Sequence, residues 1–227
     1  MTDVRIFQSA EELADAAAAW LEHEVLERVR QADSCSIALS GGSAPGPVHQ
    51  RLSRSRRIDW GSVLVFFGDE RCVPPDDRGS NFRLARETLL DPVGVPPRNV
   101  FRMPGEALDH DLAAEKYGEL LPDPLDIIVL GMGEDGHTAS LFPGSSSLHE
   151  SARKVLAVEG PLPYSRRLTI TPPVIALARR VIMLASGEKK APAVKRALDP
   201  SSSPAELPAA LARHAVWFID RAAAETL

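Results

Sequence analysis

The feature that most constrains this chain is the alternation of short apolar runs with helix-forming stretches. Runs at Ser36–Leu39, Val63–Phe67, Leu125–Leu130, Val155–Val158, Leu168–Ile170, Val181–Ala185 and Val216–Ile219 read as strands. Helices are predicted from Ser9 to about Arg30 and near Val48–Ser53, Phe82–Leu89, Leu108–Leu121, Pro173–Ala178 and Lys189–Leu198. Strands alternating with helices imply an α/β fold whose mostly parallel sheet is flanked by helices, with room for a small lid or lobe. Ser9 and Glu12 have the spacing of a capping box, and Thr171 before Pro172 and Pro173 is expected to cap a later helix. No internal repeat is evident, and Ser201-Ser202-Ser203-Pro204 reads as a loop, so a single domain over 1–227 is expected.

Composition narrows the function. With 227 residues and 44% hydrophobic side chains, the chain can bury a core without disulfides or metals. Its formal charge of −5 comes with no basic block, which argues against nucleic acid as a partner. An anionic ligand must therefore be held by a few placed cations. No apolar run approaches the roughly 20 residues of a membrane span, and the first residues lack a basic start and an apolar signal core. A cytoplasmic protein with no membrane partner is expected. Cys35 and Cys72 have neither C-x-x-C spacing nor a nearby His pair, and read as free thiols.

Four polar clusters each sit beside a predicted strand, and ligands of open α/β sheets bind at the carboxyl ends of strands. Ser40-Gly41-Gly42-Ser43 precedes a helix, where paired glycines and free N–H groups suit a phosphate; it lacks the Lys-Ser/Thr of a Walker loop. Asp69-Glu70-Arg71 enters a loop ending at Ser80-Asn81, with Asp76, Asp77 and Arg78 read as a solvated tip. Gly131 to Ser140 contains a literal G-x-G-x-x-G, but Pro143 and Gly144 arrive too soon for a dinucleotide-binding helix. That turn instead presents His137 near Asp135, and imidazole suits general-base work at neutral pH. His23, His49, His110, His149 and His214 are assigned no role. Arg166-Arg167 and Lys189-Lys190 offer cations for an anion clamp, whereas Arg179, Arg180 and Lys195 read as solubility charge.

Taken together, ALSGGSAPGPV (38–48), FFGDERCVP (66–74) with Ser80-Asn81, DIIVLGMGEDGHTASLFPGS (126–145), RLTIT (167–171) and ASGEKKAPAV (185–194) resemble the 6-phosphogluconolactonase family over nearly the whole chain. The resemblance implies a Rossmann-like fold shared with glucosamine-6-phosphate deaminases, no cofactor, and hydrolysis of a sugar-phosphate lactone. It implies His137 as the base. Ser40, Gly41, Gly42 and Ser43 would hold phosphate with Arg167 and Lys190, the latter preferred over Lys189 because it directly precedes Ala191. Asp69, Arg71 and Asn81 would contact the sugar or position His137, with Asp135 also at the substrate. A monomer or weak homodimer is expected. The related deaminases continue with a glutamate five residues after the histidine, where this chain has Phe142. Two alternatives stay open: an amino-sugar-phosphate deaminase or isomerase, and a sensor that binds sugar phosphate without turnover. A serine esterase is disfavoured, because no G-x-S-x-G elbow is present.

Overall fold

In the computed structural model, which describes residues 2–227, most of the apolar runs pair side by side. In chain order the elements are β1 (Asp3–Phe7), α1 (Ala10–Ala32), β2 (Cys35–Leu39), α2 (Pro45–Leu52), β3 (Val63–Phe67), β4 (Asp69–Arg71) and α3 (Asn81–Ala85). A π-helical stretch (Arg86–Leu90) continues α3 into α4 (Asp91–Val93). There follow α5 (His110–Leu120), β5 (Ile127–Gly131), β6 (Val155–Glu159), β7 (Arg166–Ile170), α6 (Pro172–Leu177), β8 (Arg180–Ala185), α7 (Ala191–Leu198) and β9 (Val216–Asp220).

Six strands form one parallel sheet in the order β1-β9-β8-β5-β2-β3. Every residue of β2 is buried, as expected of a parallel strand covered on both faces. One cover is α1, which buries Leu13, Ala14, Ala17, Ala18, Leu21 and Val25, three and four residues apart on one stripe. Each large apolar side chain so buried is worth about 1.5–3 kcal/mol relative to exposure. Ser9 caps this helix by accepting from the Glu12 N–H at 3.2 Å, while the Glu12 carboxylate reaches back to the N–H of Gln8. No helix is long and apolar enough to cross a membrane among the described residues.

The structure departs from the sequence reading at several points. Val155–Val158 and Leu168–Ile170 do not join the main sheet; as β6 and β7 they pair antiparallel with β4 in a second sheet, ordered β4-β7-β6. Strand β4 was expected as loop, since Asp69-Glu70-Arg71 has no apolar residue to mark it. Its neighbour Gly68 makes the transfer between sheets: its N–H donates to Leu39 O in β2's sheet, and its carbonyl accepts from Ile170 N–H in the other. Strand β1 was also missed, because it is a partly exposed edge.

Other corrections are local. Thr171 does not cap α6 with its side chain; its hydroxyl donates to the carbonyls of Arg153 and Lys154. Asp77 is more than a solvated tip, accepting from Gly79 N–H at 2.7 Å. Arg179 and Arg180 reach Asp126 and Glu24, although both remain more than half exposed and such pairs contribute little. The two cysteines are free.

Candidate active site

The carboxyl ends of β2, β5 and β8 open onto a cavity of about 250 Å³. Lining it are Ser40, Gly41, Gly42, Ser43, Asp69, Arg71, Asn81, His137, Arg167 and Lys190, so the cavity gathers all the predicted site residues except Asp135. A larger groove of about 810 Å³ lies between α5 and β6, lined by Asp109, Asp111, Glu115, Glu119, Arg153 and Lys154. Its carboxylates outnumber its cations and no glycine turn or histidine faces it, so the smaller cavity is the candidate site.

The glycine turn is fixed from two sides. Ser40 Oγ donates to Val129 O at 2.7 Å, tying the turn to β5 and committing the hydroxyl proton to the scaffold. A Cβ on Gly41 would fall 1.9 Å from Oδ1 of Asn81, and Gly42 has φ +107°, which disfavours any residue with a side chain. The turn runs into α2, whose N-terminus begins at Pro45 and has no side-chain cap. Ala44 and Pro45 line the cavity too, so this helix end faces it with partial positive charge.

His137 sits on the rim of the cavity. Asp135 Oδ1 lies 2.6 Å from His137 Nδ1 and also accepts from the His137 backbone N–H at 3.1 Å. The bond from His137 holds the Asp135 carboxyl below the usual carboxylate range, so Asp135 accepts and Nδ1 is the donor, which leaves Nε2 as the ring nitrogen not committed to Asp135. Asp135 itself does not line the cavity; expected at the substrate, it stands behind the imidazole. A Cβ on Gly133 would lie 2.2 Å from His137 Nδ1, so the ring occupies space that only glycine leaves. On its other flank is Phe142, with ring centroids 5.0 Å apart.

Asp69 is locked in place. Its Oδ1 accepts from Asn81 Nδ2 at 2.9 Å, and its Oδ2 accepts from Ser140 Oγ at 2.7 Å. Next in β4, Glu70 points to the opposite face, where it accepts from the N–H groups of Arg71, Asn81 and Phe82 and from Ser80 Oγ. Burial pushes its carboxyl pKa upward against those four bonds. Together they fix the turn that delivers Asn81.

Three cations border the cavity. Arg71 and Arg167 stand directly opposite each other on β4 and β7. Like charges in such a pair destabilise a sheet. Burial first, and the charge of Arg71 second, push the Arg167 guanidinium below the usual arginine value, and burial lowers Lys190 likewise. Among the described residues, none of the three has a carboxylate within 4.0 Å. Arg71 Nε is buried without a partner. Their sequence neighbours differ: Arg166 pairs with Glu159 and Lys189 with Glu134, both exposed. A cavity bordered by cations without carboxylate partners, a helix N-terminus and an imidazole suits an anionic ligand.

Comparison with known proteins agrees with this geometry. A family model described as glucosamine-6-phosphate isomerases/6-phosphogluconolactonase matches residues 8–219. The chain belongs to this family. It is 36% identical over 244 residues to the 6-phosphogluconolactonase of Mycobacterium tuberculosis, covering 100% of this chain and 98% of that one. To the 6-phosphogluconolactonase of Synechocystis it is 34% identical over 228 residues, covering 95% and 94%. The solved 6-phosphogluconolactonase of Trypanosoma brucei superposes with a TM-score of 0.88 at 30% identity, covering 100% and 99%. A monomeric glucosamine-6-phosphate deaminase reaches the same TM-score at 23% identity, which shows that this branch of the family shares the fold.

Sequence reading of this family member missed the groups that hold the site from behind. In the sequence Ser140 is only one more residue of the glycine-rich turn, and its bond to Asp69 spans 71 positions. Asp220 at the end of β9 accepts from Ser186 Oγ at 2.5 Å and from Gly187 N–H, bracing the turn that carries Lys190. Tyr164, in the β6–β7 connection, carried no signal at all. Such partners lie far apart along the chain, and no local pattern joins them.

Proposed function

We propose that this protein hydrolyses 6-phospho-D-glucono-1,5-lactone to 6-phosphogluconate, a step of the pentose phosphate pathway. The reading rests above all on one observation: an imidazole whose Nδ1 is committed to Asp135 stands at the rim of a cavity bordered by three unpaired cations. The phosphate of the substrate sits among Arg71, Arg167, Lys190 and the glycine turn, and the lactone carbonyl then faces His137. Nε2 takes a proton from a water molecule as its oxygen bonds to C1. The C1–O5 bond breaks, and the imidazolium returns the proton to the departing ring oxygen, with no covalent intermediate.

Asp135 holds the required tautomer and stabilises the imidazolium, the part a carboxylate plays behind any catalytic histidine. Asp69 and Asn81, fixed as a pair, present polar groups to the sugar hydroxyls. We place the activity in the cytoplasm, in keeping with two free thiols and a sugar-phosphate substrate.

The test is an assay that supplies the lactone and couples its opening to 6-phosphogluconate dehydrogenase, with spontaneous hydrolysis as the baseline. Acceleration above that baseline is expected, with no ammonia released from glucosamine 6-phosphate. No acceleration favours a sensor, and ammonia release favours a deaminase.

A further inference from the structure

Two loops that bear no assigned function meet beside the arginines. The β6–β7 connection carries Tyr164, and the loop after β4 carries Asp77 and Gly79. The Tyr164 ring lies against Gly79 so closely that a Cβ there would fall 2.2 Å from Cζ. Its hydroxyl donates to Asp77 Oδ1 at 3.4 Å. The ring also lies under the Arg71 guanidinium, 5.8 Å from Cζ to the ring centroid, while Arg71 donates through Nη1 to Gly79 O at 2.6 Å. On its other side, the Tyr164 carbonyl accepts from Arg167 Nε at 3.0 Å. One residue therefore touches both members of the cross-strand arginine pair.

That pair needs such a support. Two guanidiniums directly opposite on adjacent strands repel, and neither has a carboxylate to orient it. Long side chains left free lose rotamer entropy when an anion finally orders them, which weakens binding. The ring face supports Arg71 and the backbone carbonyl holds Arg167 without neutralising either, leaving the remaining N–H groups for the ligand.

We propose that Tyr164 is a positioning residue whose ring pre-sets Arg71, beside Arg167, for the phosphate end of the substrate. The proposal deepens the lactonase reading and rests on it for the identity of the substrate. Tyr164→Ala is expected to raise KM for the phosphorylated lactone about tenfold while kcat changes by less than about threefold. It should weaken calorimetric binding of inorganic phosphate by a similar factor, and leave kcat/KM for the unphosphorylated 1,5-lactone of gluconate unchanged. Tyr164→Phe, which keeps the ring, should restore the affinity. Gly79→Ala drives the ring away from the opposite loop and should reproduce the loss with Tyr164 in place. Unchanged KM and phosphate affinity in Tyr164→Ala or Gly79→Ala overturns the proposal, as does an equal fall on both lactones, the mark of general structural damage. If the unsubstituted protein does not accelerate lactone opening, the functional reading fails, and phosphate calorimetry on the variants still decides the role of Tyr164.

Discussion

The six-stranded sheet delivers its functional groups from turns beyond its strands: Ser40–Ser43 after β2, His137 after β5 and Lys190 after β8. By contrast, the three-stranded sheet delivers Asp69, Arg71 and Arg167 from within its strands. Parallel strands covered on both faces leave no place for charge inside them, so polarity is pushed to their ends. An antiparallel sheet can keep one face polar, and here that face borders the cavity. In the proposed mechanism the large sheet supplies the base and the backbone cradle, and the small sheet supplies the guanidinium cations.

The largest expected effect falls on the large-sheet half. His137→Ala should lower kcat about 10²–10⁴-fold with little change in KM, measured by steady-state kinetics on the lactone. A variant that keeps full turnover breaks the assignment of base and cradle to that half.

Acid sensitivity sharpens the same contrast. His49, in the helix behind the glycine turn, is buried with both ring nitrogens unpartnered, and burial lowers its pKa to about 4. An unfolded histidine titrates near about 6.5, so as pH falls the unfolded chain binds the proton first. The histidine's contribution is therefore intact above pH about 6.5 and declines until pH about 4, by about 3 kcal/mol in all. His49→Leu should flatten the pH dependence of urea unfolding across that window. An unchanged slope would assign the acid sensitivity to other groups.

The smallest effect belongs to the small sheet. Arg167→Lys keeps the charge but loses the planar fork and its position over Phe142, 5.5 Å from the ring centroid. KM should rise about tenfold while kcat and the melting temperature hold. Should kcat fall in step with the His137 variant, the division of labour between the sheets is wrong.

Much of this was legible along the chain. The strands of the main sheet announce themselves as apolar runs, and the strand-turn-helix setting of Ser40–Ser43 marks an anion cradle. Less legible was β4, since Asp69-Glu70-Arg71 is a strand only because β7 pairs with it. Strand β7 illustrates both sides: its apolar end is legible, but the sheet it joins is not, because a short apolar run fits either neighbour.

The sequence by itself determined the alternation of strands and helices, the glycine turns and the presence of a histidine turn after β5, because these follow from periodicity and backbone freedom within a few residues. Only the tertiary structure decided that Arg167 and Lys190, rather than Arg166 and Lys189, border the cavity. It also decided that Asp135 stands behind His137, and that Tyr164 reaches across to Gly79. Local chemistry sets what each segment can become; which side chains meet is set by the packing of segments far apart along the chain.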